Sequence, residues 1–134
     1  MHLNDASYIS FSTYRKNGDS VETPVWFAPD INRDSIEDKN SYYIFSAGEA
    51  GKVKRLRNFS RSSIAPCTVT GRILGDWHDS EAVILESDEQ IKTAHAALVK
   101  HYGWQMRMLD ISSKLSGKFN KRAYIKVTLN APVD

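Results

Sequence analysis

Residues 8–28 read YISFSTYRKNGDSVETPVWFA, and the fold turns on whether the two halves of this stretch pair with each other. In the first half Ile9, Phe11 and Thr13 alternate with Tyr8, Ser10, Ser12 and Tyr14. A period of two in β-branched and aromatic residues puts one set on each face of an extended strand. Lys16-Asn17-Gly18-Asp19 follows, and Asn-Gly tolerates the left-handed backbone of a tight hairpin turn. Ser20 to Ala28 then returns as a second strand. Pro24 removes one amide donor from it, which suits a sheet edge or a bulge.

Further strands are expected at Ser41–Ala47 (SYYIFSA), in SSIAPCTVTGRI (62–73), in SEAVILES (80–87) and in the closing RAYIKVTLN (122–130). Pro66 marks the second of these as an irregular or edge strand. The polar, turn-rich PDINRDSIEDKN (29–40) reads as an exposed loop. Ser87-Asp-Glu-Gln90 has the form of a capping box. Ile91, Ala94, Leu98, Val99 and Tyr102 then recur at helical spacing, and Gly103 sits where a helix would stop. Trp104, Met108, Ile111 and Leu115 predict a second short helix before Gly117. The expected architecture is mainly β: an antiparallel sheet, most simply a small barrel, with one short helix inserted and a helical pair near the end.

A chain of 134 residues that is 41% hydrophobic suits one domain over residues 1–134. Its net charge is only +2, so any anion site has to be built by local clustering. One cysteine, Cys67, excludes an internal disulfide and any Cys-x-x-Cys metal site, which fits a reducing cytoplasm. MHLNDASY lacks the basic start and apolar run of a signal peptide, and no stretch is apolar enough to span a membrane. A soluble, cytoplasmic protein without a membrane partner is expected.

The common catalytic motifs are missing: there is no HExxH, GxSxG, GxGxxG or phosphate-binding P-loop. His95 and His101 fall on different helix faces, and His78 in GDWHDSE reads as a hairpin tip. Cys67 beside Pro66 reads as a small buried packing residue. An enzyme built on this chain would borrow its reactive group from a cofactor.

Two stretches carry the remaining information. In GKVKRLRNF (51–59) four cations follow a glycine, and no acid appears before Asp76. On a helix, about 100° per residue puts Lys52 and Arg55 on one side and Lys54 and Arg57 on another. Gly51 would stand at the helix entrance, where free amides and the helix dipole favour an anion. Spacing alone leaves three readings open: a solvated face, a phosphate cradle or a nucleic-acid patch. In VETPVWFAPD (21–30) the strand edge could offer backbone groups to a flat heterocycle, or Trp26 and Phe27 could simply fill the core.

STYRKNGDSVETPVWFAPD (12–30), YYIFSAGEAGKVKRLRNFSRSSIAPCTVTGRI (42–73) and LVKHYGWQMRML (98–109) together resemble the pyridoxamine-phosphate-oxidase-like proteins with the flavin-binding split β-barrel. The small flavin- or deazaflavin-dependent oxidoreductases are the most similar branch, and the resemblance runs from Tyr8 to Leu129. It implies a six-stranded antiparallel split barrel that forms a homodimer, with flavin at the interface. Carried over, Thr23, Pro24, Val25 and Trp26 would lie along the isoalloxazine ring, largely through backbone contacts. Ser46 and Ala47 match a position near the cofactor phosphate; Lys52 and Arg55 match the phosphate clamp, with Lys54 a weaker candidate. Trp104 falls in a family-like Tyr-Gly-Trp.

The resemblance implies FMN as cofactor and a flavin-mediated hydride transfer to or from a small-molecule substrate, with no catalytic side chain assigned. One alternative cofactor is the deazaflavin coenzyme, whose acidic tail would draw on Arg57 and Arg61. Another reading is a non-enzymatic flavin- or haem-binding protein on the same barrel. Nothing in the chain matches the arginine and histidine residues that bind pyridoxal phosphate in the true oxidases, so that activity is not expected. Nucleic acid is not an expected partner, because the aromatic residues sit in core positions of strands. The loop over 31–40 is longer than the compact turn typical of this branch and would reshape the mouth of the site.

Overall fold

The computed structural model describes residues 3–30, 40–47, 51–117 and 122–130. The loop expected at 29–40 therefore falls largely outside the described residues, as does the strand-breaking segment 48–50 and the side chain of Ala47. After a short 3₁₀ turn (Leu3–Asp5), the elements are β1 (Tyr8–Tyr14), β2 (Ser20–Val25), β3 (Phe27–Pro29), β4 (Ser41–Ala47), α1 (Gly51–Asn58), β5 (Arg61–Cys67), β6 (His78–Ile84), α2 (Asp88–Tyr102), α3 (Trp104–Leu115) and β7 (Arg122–Leu129).

The hairpin forms as its alternation predicts, with antiparallel register from Ile9 opposite Val25 to Tyr14 opposite Ser20. Its turn uses one left-handed residue, Gly18 at φ 93°. The Gly18 amide bonds Arg15 O at 2.9 Å and the Arg15 amide bonds Asp19 O at 2.8 Å. Asn17 accepts from the Asp19 amide at 3.0 Å, so asparagine serves the turn through its side chain rather than through its own backbone.

All strands join one antiparallel sheet in the order β2-β1-β5-β6-β7-β4-β3. Its two outermost strands, β2 and β3, are consecutive in sequence and separated only by Trp26. Val25 pairs with Ile9 on one side of that residue, and Phe27 pairs with Ile44 on the other. A single bent strand thus bridges both ends of the sheet and closes it. Seven strands are found instead of six because 20–29 divides at Trp26.

Alternation then sorts the side chains into two layers. Ile9, Phe11, Phe27, Tyr42, Ile44, Ile64, Ile125 and Val127 fill the barrel, and Val53 and Leu56 of α1 plug into the same cluster. Tyr43 and Tyr124, pointing outward, pack with Ala28, Ala94, Leu98 and Met106 beneath α2 and α3. Ser87 caps α2, accepting from the Gln90 amide at 3.1 Å, as the capping motif predicts. Among the described residues no helix is long and apolar enough to cross a membrane.

Three local expectations need correction. The strand expected over 62–73 stops at Cys67, because Thr68–Gly71 forms a turn closed by Gly71 N to Thr68 O at 2.9 Å, with Gly71 at φ 97°. Past Ile64 β6 no longer pairs β5; the chain returning from the turn does so irregularly, with Leu74 N donating to Pro66 O at 2.8 Å and Cys67 bridging Ile73, and a proline is tolerated in such a broken ladder. His78 is not at a hairpin tip: it begins β6 opposite Ile64, and that strand runs to Ile84 rather than 87.

On α3 the helix forms as spaced, yet its apolar stripe faces away from the core. Trp104 is 71% and Leu115 85% exposed, with Met108 and Ile111 exposed beside them. Met106 and Asp110 are buried instead. Asp110 receives Arg122 Nη1 at 2.7 Å and faces His95 Nε2 at 2.8 Å, while Arg122 Nη2 donates to Ser113 Oγ at 2.7 Å. This charge-assisted network sets the rotation of α3.

Candidate functional site

Helix α1 has two jobs that its sequence separates by face. Val53 and Leu56 enter the barrel end, while Lys52 and Arg55, one turn apart, flank them half-buried. Lys54 and Arg57 stand exposed on another side. Thr13 is fully buried on the inward face of β1, at the end that α1 plugs, and Arg55 Nε donates to its Oγ1 at 2.6 Å. The guanidinium also folds back over the helix entrance: a Cβ added to Gly51 would stand 2.7 Å from Arg55 Nη1. Any side chain at Gly51 would displace the end of that arginine without straining the backbone.

The charge at this point is one-sided. The first turn of α1 contains no acidic residue. Burial, then the neighbouring Arg55, pushes the Lys52 ammonium below its ordinary value. Burial, then Arg15, does the same to Arg55. Among the described residues none of the salt bridges involves Lys52, Arg55, Arg15 or Arg61. Like charges held at the positive end of a helix, with no salt bridge to them among the described residues, are a standing cost that a bound anion relieves. Each charge-assisted hydrogen bond to such an anion is worth roughly 1.5–3 kcal/mol.

Beside this cluster runs β2. It pairs with β1 along one side only, so from Ser20 to Val25 its other side meets no strand among the described residues. Thr23 and Trp26 are half-buried, Pro24 is exposed and Val25 is buried. The turn at Gly71 lies against Pro24, 3.9 Å from its ring to a Cβ placed there. Trp26 leans on Tyr102, with ring centroids 4.5 Å apart, and meets the edge of Phe45 at 6.2 Å. The Tyr102 hydroxyl accepts from the Phe27 amide at 2.8 Å and donates to Ser7 O at 2.8 Å. Burial pushes the Tyr102 phenol well up, so it stays a neutral donor.

Lys52 and Arg55 therefore stand together at one end of the barrel, with Thr13 and Arg15 joined to them. Lys54 points elsewhere. Ser46, buried in β4 opposite Ala123, and Ala47, opposite Arg122, share a strand with Phe45. No side-chain hydrogen bond among the described residues links Ser46 to α1 or β2. Trp104 is exposed and makes no ring contact with Trp26 among the described residues. Cys67 is buried, and burial raises its thiol pKa, as an inert packing residue requires.

Sequence reasoning missed Thr13, Arg15 and Tyr102. Thr13 carried a faint signal, since its hydroxyl falls on the apolar face of an alternating strand and needs a partner. Tyr102 ends an apolar helical stripe, where a phenol likewise seeks one.

No protein-family profile matches the chain, and no curated protein sequence does. Solved structures do match over nearly its whole length. HutZ, the haem storage protein of Vibrio cholerae, superposes with a TM-score of 0.65 at 13% identity, covering 98% of this chain and 92% of that one. A candidate pyridoxamine 5′-phosphate oxidase from Listeria innocua gives 0.59 at 11%, covering 96% and 88%. A FAD-binding protein from Mesorhizobium loti gives 0.56 at 17%, covering 96% and 83%. Identities this low establish the fold alone. That fold is the split β-barrel that the sequence resemblance implied.

Proposed function

We propose that this chain is a flavin-dependent oxidoreductase that grips the FMN moiety of its cofactor by the phosphate. The observation that carries this reading is the half-buried pair Lys52 and Arg55 at the entrance of α1, with Thr13 holding Arg55, which no salt bridge among the described residues neutralises. The residues fit the group. A phosphate would accept from Lys52 Nζ and from the Arg55 guanidinium, whose direction Thr13 sets. The edge of β2 at Thr23, Pro24 and Val25, which pairs with no strand among the described residues, and Trp26 after it would offer backbone groups to the polar side of a flat heterocycle. Trp26, braced by Tyr102 and Phe45, would shield that ring from water.

When bound, the flavin supplies hydride transfer at N5, and the protein supplies binding, orientation and exclusion of solvent. No side chain is assigned a proton-transfer role. The substrate is a small molecule. The working unit in this reading is a homodimer, supported by the apolar stripe Trp104, Met108, Ile111 and Leu115 that its own chain leaves exposed.

The test is a visible absorption spectrum of the purified protein, with mass identification of whatever it carries, followed by titration of the stripped protein with FMN and with the deazaflavin coenzyme. A yellow protein that loses its colour as Lys52→Ala/Arg55→Ala and is reduced by a nicotinamide donor supports the reading. A folded protein that takes up neither cofactor refutes it.

A further inference from the structure

A cleft of about 170 Å³ opens beside the cation cluster, lined by Tyr14, Arg15, Gly18, Phe59 and Arg61. It is smaller than the roughly 300–1,000 Å³ of sites that enclose a drug-sized ligand, so it has room for one ring system and its anionic group. The lining has two parts. Arg61 stacks over the Tyr14 ring at 5.0 Å to the centroid, and Phe59 stays 43% exposed although it is large and apolar. Arg15 brings a second guanidinium. The carboxylate nearest in register, Glu81 opposite Arg61, accepts instead from Ser60 Oγ. Asp19, across the turn from Arg15, accepts from Asn17 Nδ2 at 3.2 Å, and among the described residues no salt bridge reaches Arg15 or Arg61. Planar cations and aromatic faces of this kind suit a flat base carrying a phosphate.

Position along β1 adds direction. Ile9, Ser10 and Phe11 stand opposite Val25, Pro24 and Thr23, the edge assigned to the flavin ring. Thr13 comes next and holds Arg55. Tyr14 and Arg15 follow and line the cleft. Ring edge, phosphate clamp and cleft thus lie in order along one strand, about 3.3 Å per residue. Thr13 and Tyr14 face opposite sides of β1, and Phe59 links clamp and cleft: it lines the cleft, and its amide donates to Arg55 O at 3.0 Å, one helical turn on.

We infer that the cleft is a second subsite of the same cofactor site and takes the adenylate half of a dinucleotide, so that FAD rather than free FMN is the preferred flavin. This rests on reading Lys52 and Arg55 as the flavin-phosphate clamp. The experiment is calorimetric titration of stripped protein with FMN, with FAD and with the deazaflavin coenzyme, in the wild type and in Arg61→Ala and Phe59→Ala. Both side chains are exposed, and circular dichroism verifies that the variants fold.

The expected result is FAD binding about tenfold or more tighter than FMN, with that advantage lost in Arg61→Ala and reduced in Phe59→Ala while FMN affinity stays put. Equal affinities for the two flavins in the wild type overturn the subsite and leave the clamp standing. An Arg61→Ala variant that weakens both flavins equally also overturns it. A preference for the carboxylate-tailed deazaflavin over FAD, abolished by Arg61→Ala, overturns the adenylate assignment. Failure of both flavins to bind overturns the clamp and the subsite together.

Discussion

Arg55 on α1 donates from Nε to Thr13 Oγ1 on β1 at 2.6 Å, and this bond aims the one guanidinium that folds over the helix entrance. A buried threonine thereby fixes a flexible cation that forms no salt bridge among the described residues. Pre-setting the direction of an arginine reduces the ordering cost when an anion arrives.

Thr13→Val keeps shape and burial but removes the acceptor. The barrel should stay folded, because Val fits the apolar inward face. Flavin affinity should fall about 5- to 30-fold, the equivalent of about 1–2 kcal/mol. Equilibrium dialysis against FMN reads this directly, and unchanged affinity would show that Arg55 needs no guide.

Gly51→Ala separates stability from binding. Alanine favours a helix over glycine by up to about 1 kcal/mol, so thermal stability should hold or rise slightly. Its Cβ would collide with Arg55 Nη1, standing 2.7 Å away, and the guanidinium must leave the helix entrance. Weaker cofactor binding with an equal or higher melting temperature is the expected pair of results. A variant that keeps full affinity would place the phosphate elsewhere.

The Lys52 ammonium lies below its ordinary value of 10.5 because of burial and Arg55. Its folded pKa is depressed, so the unfolded chain binds more protons between the two values and stability rises with pH there. Lys52 therefore adds stability as pH climbs through its lowered folded pKa toward 10.5, against the opposite contributions of Cys67 and Tyr102, whose raised values lower stability there. The difference between wild type and Lys52→Met isolates the lysine's share, and inorganic phosphate should shrink that difference by restoring the charged form. Urea melts across this window, with and without phosphate, are the measurement.

Met108→Glu/Leu115→Glu places two charges on the exposed stripe of α3. Neither residue is buried in its own chain, so monomer folding should be unaffected. Sedimentation should show wild-type dimers and variant monomers at micromolar concentration. Wild-type monomers at that concentration would remove the homodimer from the proposed function.

Where the sequence spoke clearly, the cause was local. Asn17-Gly18 and the alternation around it specify a hairpin and its register within a few residues. Lys52 and Arg55 declare a shared face through helical spacing alone. The break at Trp26 stayed hidden because residues 20–28 form one uninterrupted β pattern, and only the separate partners β1 and β4 divide it. The turn at Thr68–Gly71 was masked by β-branched Thr68, Val69 and Thr70, which read as strand. On α3 the apolar stripe was visible, but its outward rotation is set by Asp110 meeting His95 and Arg122, which spacing cannot register. Thr13 and Arg55, 42 residues apart, meet only after the barrel exists.

The single residue between β2 and β3 also bears on how the barrel is made. The β1–β2 hairpin pairs neighbours in sequence and can form within about 1–10 μs. Phe27–Pro29, on the far side of Trp26, needs β4, and β4 in turn pairs with the last strand, where Ser41 and Thr128 are 87 residues apart. High sequence separation of this kind slows closure. During synthesis, at roughly 5–20 residues per second, one half of this strand can pair as soon as β1 and β2 exist, while the ladder of the other half is completed only when β7 has been made. Trp26 is thus the boundary between a half whose partner is its neighbour in sequence and a half whose partners come late.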